Sequence, residues 1–310
     1  MKVALLMGGR SSEREISLKT GRQIAAALIK NGHEVIKLDV DENIAEKIID
    51  AKVDVAFIAL HGRYGEDGTI QGLLEIVGVP YIGSGVLASS LAMNKIMTKK
   101  VLEYEGIPTP QWTVLSKGQF QKRVWSDLWR EIQDKTEVPV AVKPNREGST
   151  IGLSIAKDED ELKKSISLAL QYDDEILLEK YIKGEEITIG VLGNDDPRAL
   201  PVIQIVSKTG FYDYEAKYTV GMSEHIIPAR ISPKAYERAQ ALAVKVHKAL
   251  GCRGLCRVDG MVYDEDEVTI FEVNTIPGMT ETSLFPDAAR YAGIDFSDLM
   301  EQLIELALEK

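Results

Sequence analysis

Between Arg257 and Thr280 the chain reads RVDGMVYDEDEVTIFEVNTIPGMT, and four of its side chains have the types and spacing to do chemistry together. Side chains alternate between the two faces of a strand, so Arg257 and Asp259 share one face of the first run, and Glu272 and Asn274 one face of the second. Folded as a β-hairpin, the runs gather all four on a polar face, with the intervening Val258, Val273 and Phe271 pointing away from it or lying next to it. Two carboxylates and an amide oxygen are hard donors suited to Mg²⁺, which binds protein through one or two carboxylates together with substrate phosphates. That is nucleotide chemistry. A solvated face on an edge hairpin accounts for the same alternation without any function. The Asn-Thr-x-Pro-Gly exit, a rigid turn that an ordinary polar face does not need, shifts the balance toward a site.

Other residues extend the phosphate theme. Lys143 closes the apolar run VAVK and precedes PNREGST, so a point charge at a strand end is followed by a short loop whose N–H groups can close over phosphate oxygens. The Gly-Lys-Ser/Thr of a Walker loop is absent, and taken alone a hairpin turn with a surface lysine is the better reading of this stretch. Glu179-Lys180-Tyr181-Ile182 follows the apolar Ile176 to Leu178, with Glu185 and Glu186 beyond. It suits an adenine held by backbone hydrogen bonds and a ribose held by a carboxylate, or simply exposed charges at a strand end. Gly8-Gly9 lacks the G-x-G-x-x-G spacing of a dinucleotide site. Its loop puts Glu13 at the mouth of the first unit, where a carboxylate can receive an ammonium group. His61 lies in a glycine-punctuated loop with no Ser or Cys motif to pair with it, which leaves a hydrolase triad without support. Tyr212, Tyr214 and Tyr218 stand in GFYDYEAKYTVG, a long aromatic loop that suits a lid or binding loop, or a loop that merely packs its own tyrosines. His33 and His225 read as strand-edge residues, and His247 as the polar side of a helix.

These residues need a scaffold. The first third alternates apolar runs with helical patterns, as a parallel sheet with crossover helices does: strands at Val3 to Met7, Val35 to Val40 and Val55 to Leu60, helices at Ile16 to Lys30 and Ile44 to Ile49. A boundary is expected near Gly83 to Leu91, where small residues dominate. Beyond Thr109 the order is strand (Trp112 to Leu115), helix (Phe120 to Gln133), strand (Val138 to Lys143), strand (Ile151 to Ala156), helix (Glu159 to Gln171) and strand (Glu175 to Tyr181). The last third adds a strand at Ile187 to Leu192, a helix from Pro233 to Leu250, the hairpin, and helices at Leu284 to Ala292 and Ser297 to Leu308.

At 310 residues the chain is long for one core, and two or three domains are expected. A net charge of −11 argues against a nucleic-acid groove, though a local Lys/Arg cluster can still bind phosphate in a cleft. The opening apolar run, Val3 to Met7, is too short for a signal-peptide core or a membrane span, so a cytoplasmic protein with no membrane partner is expected. Cys252 and Cys256 have no second Cys pair or His cluster near them in sequence, so buried, inert thiols are expected rather than zinc ligands.

The segments GGRSSEREISL, HGRYGEDGTIQG, GSGVLASSLAMNK, VKPNREGSTIG, LLEKYIKGEE, FYDYEAKY, RVDGM and FEVNTIPGMTETSLFP, in this order from Met1 to the last helix, resemble the D-alanine:D-alanine ligases of the ATP-grasp superfamily. The resemblance implies an α/β fold of α+β modules in a three-domain ATP-grasp architecture. Its units would be an N-terminal Rossmann-like parallel sheet (1–94), a central domain (95–181) and a C-terminal catalytic domain (182–310). It implies an enzyme that joins two D-alanine molecules with ATP through a D-alanyl phosphate, for peptidoglycan synthesis, as a homodimer. Lys95, Lys143 and Lys217 would bind phosphates, with Glu147, Gly148, Ser149 and Thr150 closing over them. Glu179, Lys180, Ile182 and Glu186 would hold adenine and ribose. Asp259, Glu272 and Asn274 would carry two Mg²⁺ ions, or Mn²⁺ in their place. Arg257 and the Gly278 N–H would face the oxyanion. Glu13 would take the first ammonium with His61 nearby, Ser149 and Tyr218 would link to Glu13, and Ser283 and Leu284 would take the second carboxylate.

Departures from the family pattern are few. Asn94 stands where the family often has Asp, and Thr282 occupies a variable position. Relatives that use D-lactate lack a tyrosine equivalent to Tyr218, so this chain is expected to use an amine acceptor. The alternatives are a ligase for D-lactate or D-serine, or a nucleotide-binding regulator without turnover.

Overall fold

The computed structural model describes residues 1–207, 223–280 and 282–309. Strands β1 (Lys2–Met7), β2 (Glu34–Asp39) and β3 (Val55–Ile58) form a parallel sheet in the order β2-β1-β3. The apolar run of β1 is nearly continuous because both of its faces are covered. Val3 and Leu5 pack with Ile24 and Leu28 of helix α1 (Arg14–Lys30), while Ala4 and Leu6 pack with Ile48 of α2 (Ile44–Ala51) and Leu74 of α3 (Thr69–Val77). The carboxyl ends of β1 and β3 therefore open on one edge, where Glu13 and His61 lie.

The small-residue stretch expected to mark a boundary contributes to helix α4 (Val86–Met93), followed directly by α5 (Lys95–Tyr104). Ala88 and Ala92 are buried in the core of the C-terminal sheet together with Leu102, and their small side chains let the helices lie close to it. The Asn94 side chain caps α5 by accepting from the Met97 N–H at 3.0 Å, a role in which Asn and Asp are equivalent. The start of α5 is also docked on Asn145: its carbonyl accepts from the Lys95 N–H at 3.1 Å and its side chain from the Ile96 N–H at 3.0 Å.

The central sheet is antiparallel, in the order β4-β7-β5-β6, from β4 (Trp112–Ser116), β5 (Val140–Pro144), β6 (Ser154–Ala156) and β7 (Glu175–Lys180). Two expectations change here. The helix read from Phe120 to Gln133 is broken into α6 (Lys117–Lys122) and α7 (Trp125–Thr136) by extended backbone at Arg123 and Val124. The break turns Trp125 back onto Phe120, edge to face at 6.3 Å, whereas residues five apart on one helix diverge. The strand expected from Ile151 begins only at Ser154, because Ser149, Thr150 and Gly152 all have positive φ (50°, 64° and 71°) and cannot continue a strand. Helix α8 (Glu159–Ala169) covers β5 and β6, its Leu162 and Ile166 packing with Val140, Val142 and Ala156.

The third sheet runs β11-β10-β8-β12-β13, with β9 paired to β8. It is built from β8 (Glu185–Leu192), β9 (Arg198–Ala199), β10 (Ile203–Ser207), β11 (Ser223–Ile226), β12 (Leu255–Tyr263) and β13 (Glu267–Asn274). Helix α9 (Pro233–Leu250) packs Ala235, Ala239, Ala243 and Val246 onto it. His247 lies on this buried side of α9, not on the polar side. Its Nδ1 is 3.2 Å from the sulfur of Cys256, so a histidine does stand beside the cysteine pair, and both cysteines are buried and unbridged. Burial drives the His247 imidazole down to about 4, which keeps it neutral. Helices α10 (Leu284–Tyr291) and α11 (Phe296–Leu308) return to the N-terminal sheet, where Leu299 and Leu303 share a core with Val3 and Leu28. Among the described residues no helix is long and apolar enough to cross a membrane.

Candidate active site

In the hairpin β12-β13 the register sets Arg257 opposite Asn274 and Asp259 opposite Glu272, so the four polar residues do share a face. Val258 and Val273 go below it into the core. The register then slips, with Gly260 opposite Ile270, and Phe271 becomes the extra residue of a bulge. Gly260 is needed at this point, because a Cβ there would lie 2.5 Å from the Thr269 carbonyl. Phe271 thereby faces the cavity alongside Glu272, its ring centroid 5.1 Å from the Lys143 ammonium.

Asp259 is held firmly. Arg257 donates to both of its oxygens at 2.9 Å through Nε and a terminal nitrogen, and Thr188 on β8 donates at 2.6 Å. These three donors leave room for a cation, since a carboxylate offers about four lone-pair sites. Glu272 lies 3.2 Å from the Lys95 ammonium, and the Asn274 side-chain oxygen accepts from the Ile276 N–H at 2.9 Å. The donor set is two carboxylates and an amide oxygen at the meeting of two cavities, and in charge and hardness it fits Mg²⁺.

The larger cavity, about 280 Å³, lies between the central and third sheets. Lys95, Lys143, Glu147 and Thr150 stand at one end, with Asp259 and Glu272. Lys180, Tyr181, Ile182 and Glu186, in the crossing from β7 to β8, line it elsewhere, with Met261 and Ile205 among its apolar walls. Lys95 donates to the Glu147 carbonyl at 2.6 Å. Among the described residues the buried Thr150 hydroxyl has no hydrogen-bond partner, as suits a group awaiting an acceptor. Burial raises the Glu147 carboxyl above its ordinary value, against the pull of Lys95. Glu179 lines the same cavity, with its carboxylate engaged by two lysines: Lys143 donates to its Oε1 and Lys99 lies 2.6 Å from its Oε2. The two lysines hold it ionised below its ordinary value in spite of full burial, which pushes the other way. The Lys180 ammonium turns outward to Glu137 at 3.0 Å, so its contribution to the cavity wall is the stem and backbone.

The smaller cavity, about 100 Å³, is lined by Glu13, His61, Gly148, Ser149, Arg257, Asn274, Gly278, Ser283 and Leu284, and shares Lys95, Glu147 and Glu272 with the larger. Glu13 precedes α1 and is buried. Ser149 donates to its Oε1, and Gly62 approaches so closely that a Cβ there would lie 2.7 Å from Oε2. His61 is buried behind it, its Nε2 at 3.2 Å from the Thr20 hydroxyl and its Nδ1 at 3.8 Å from Glu66. Ser283 is the residue before the first turn of α10, and its hydroxyl accepts from the Thr280 N–H at 2.9 Å. The N–H groups that open α10 provide a seat for a carboxylate. Gly278 is as tight, since a Cβ there would fall 2.9 Å from the Ser283 hydroxyl. Lys217 and Tyr218, and the tyrosine-rich stretch they belong to, lie outside the described residues.

Lys99, Thr188 and Phe271 were not singled out from sequence. Lys99 lies one helical turn after Lys95, a spacing that puts the two on the same side of α5 and could have flagged it. Thr188 stands opposite Asp259 on β8, which strand alternation shows only once the pairing is known.

Residues 101–305 match the family model described as D-ala D-ala ligase C-terminus, and residues 41–84 the one described as D-ala D-ala ligase N-terminus. The chain is 54% identical to the D-alanine--D-alanine ligase of Carboxydothermus hydrogenoformans over 310 residues, covering 100% of this chain and 99% of that one. It is 53% identical to that of Pelotomaculum thermopropionicum, over 100% and 97%. Among solved structures it resembles the Bacillus anthracis D-alanine--D-alanine ligase complexed with ATP, with a TM-score of 0.85, 38% identity, and 99% and 97% of the two chains covered. The VanG D-Ala:D-Ser ligase of Enterococcus faecalis is similar at a TM-score of 0.83 and 32% identity, over 99% of each chain. With one model spanning most of its length and relatives above half identity end to end, the chain belongs to the D-alanine--D-alanine ligase family.

Proposed function

We propose that this protein joins two D-alanine molecules into D-alanyl-D-alanine, with ATP as the energy source and D-alanyl phosphate as the intermediate. The observation that carries the proposal is the common wall of the two cavities: Lys95, Glu147 and Glu272 line both, so the phosphate end of a nucleotide and the carboxylate of a small amino acid meet there.

In this reading the adenine and ribose lie along Lys180 to Glu186, with Glu186 toward the sugar, and the phosphates lie against Lys95, Lys143 and the loop 147–150. Lys217 joins them from the tyrosine-rich segment. Asp259, Glu272 and Asn274 hold Mg²⁺, which when bound neutralises phosphate charge. The ammonium of the first D-alanine pairs with Glu13, beside His61, and a carboxylate oxygen attacks the γ-phosphorus while ADP leaves. Ser283 and Leu284 seat the carboxylate of the second D-alanine at the α10 N-terminus. Its amine, having lost a proton, attacks the acyl carbon. Arg257 and the Gly278 N–H stabilise the oxyanion, and phosphate departs with the former carboxylate oxygen. Ser149, and Tyr218 in the same proposal, close on Glu13 and keep water from the acyl phosphate.

The three units proposed, 1–94, 95–181 and 182–310, are supported by a separate sheet in each. A cytoplasmic homodimer serving peptidoglycan synthesis completes the reading. The similarity to a D-Ala:D-Ser ligase favours D-serine as the second acceptor to try. Purified protein with ATP, Mg²⁺ and D-alanine should release phosphate only when D-alanine is present and give a product with the mass of the dipeptide. Phosphate release indifferent to D-alanine, or a mixed product preferred when D-serine or D-lactate competes, would overturn it.

A further inference from the structure

Lys99 is fully buried and lines neither cavity, yet it is bound to the residue that holds Lys143. Glu179, on β7, accepts from Lys143 through Oε1 and lies 2.6 Å from the Lys99 ammonium through Oε2. Lys99 also donates to the Thr109 hydroxyl at 2.6 Å, and Thr109 passes its own hydrogen to the Ile270 carbonyl on β13 at 2.7 Å. Because that hydrogen is committed to Ile270, the Thr109 oxygen can only accept from Lys99. The ammonium is thus fixed between the central sheet and the strand that carries Glu272.

The charge balance gives this arrangement its meaning. A lone Glu179–Lys143 pair would be neutral, and an incoming phosphate would have to compete with the carboxylate for the lysine. Burial holds the Lys99 value below its ordinary one against the pull of Glu179; with both lysines charged on one carboxylate the triad keeps one net positive charge, and Lys143 and Glu179 are the members that line the cavity. Resting on the nucleotide reading above, we propose that Lys99 is a positioning residue for phosphate binding: by occupying Oε2 of Glu179 it keeps Lys143 both aimed and electrostatically uncompensated. The field inside a buried triad is screened little by solvent, so the second lysine acts on the ligand without touching it.

The test measures binding of adenosine and of a non-hydrolysable ATP analogue to the wild type, Lys99→Met, and Lys99→Met combined with Glu179→Gln, together with the melting temperature of each. Wild type should bind the analogue far more tightly than adenosine. Lys99→Met should weaken the analogue by about tenfold or more and adenosine by less than about twofold, since the loss is confined to phosphates. The double variant restores the single positive charge and should return analogue affinity to within about threefold of wild type. It also removes the unpaired buried carboxylate, so it decides the matter even if Lys99→Met alone does not fold. Equal loss of both ligands, or a double variant as weak as Lys99→Met, would reduce Lys99 to scaffolding and overturn the inference. A wild type that does not prefer the analogue would overturn the nucleotide reading, and the inference with it.

Discussion

Ser149 donates its hydroxyl hydrogen to Glu13, joining the loop after β5 to the head of α1 across 136 residues of sequence. Ser149 holds a left-handed backbone to do so, with φ at 50°, a conformation that costs a non-glycine residue energy and persists where surrounding contacts over-determine it. The strained loop is therefore held closed by the same carboxylate that is proposed to receive the first ammonium group. Ser149→Ala should raise the KM for the first D-alanine by about tenfold, the worth of one charge-assisted hydrogen bond, with a smaller change in KM for ATP. Steady-state kinetics in both substrates check this.

Glu272 stands between the two cavities, opposite Asp259 and 3.2 Å from Lys95. Glu272→Gln keeps the shape and removes the charge, so the melting temperature should stay within a few degrees while kcat falls by about a hundredfold or more. Full activity in this variant would remove the metal assignment.

Gly278 has no room for a side chain, because a Cβ would lie 2.9 Å from the Ser283 hydroxyl. Gly278→Ala should push Ser283 and the first turn of α10 away from the seat proposed for the second carboxylate. The expected result is about a tenfold rise in KM for the second D-alanine, with ATP binding unaltered.

His247 predicts a pH dependence of stability. Its folded value, about 4, is below the unfolded value near 6.5 because burial penalises the imidazolium. Between these limits the unfolded chain binds the extra proton, so stability is complete above about 6.5 and falls as pH drops toward 4, by about 3 kcal/mol in all. Urea unfolding at pH 7 and pH 5 should show the loss, and His247→Gln should show less of it.

Much of this was legible in the sequence wherever one periodicity decided the outcome. Alternation placed Arg257, Asp259, Glu272 and Asn274 on one face, and Pro233 to Leu250 was readable as a helix to its ends. What was not legible depended on packing partners distant in sequence. His247 is the exception: it lies four residues after Ala243 and three before Leu250, on the apolar side of α9, and its reading as a polar-side residue passed over that spacing. Lys99 looks like one more lysine in KIMTKK until Glu179 is brought to it from β7. The bulge that turns Phe271 to the cavity requires knowledge of the register, and the break at Arg123 requires the contact between Phe120 and Trp125.

The acyl phosphate makes one demand that other routes to the dipeptide do not. An oxygen of the first D-alanine's carboxylate must leave with the phosphate when the second amine attacks. D-alanine labelled with ¹⁸O in its carboxylate, turned over with unlabelled ATP and water, should therefore place one ¹⁸O atom in each phosphate released, read by mass spectrometry. Unlabelled phosphate accompanying dipeptide formation would contradict the account at its centre.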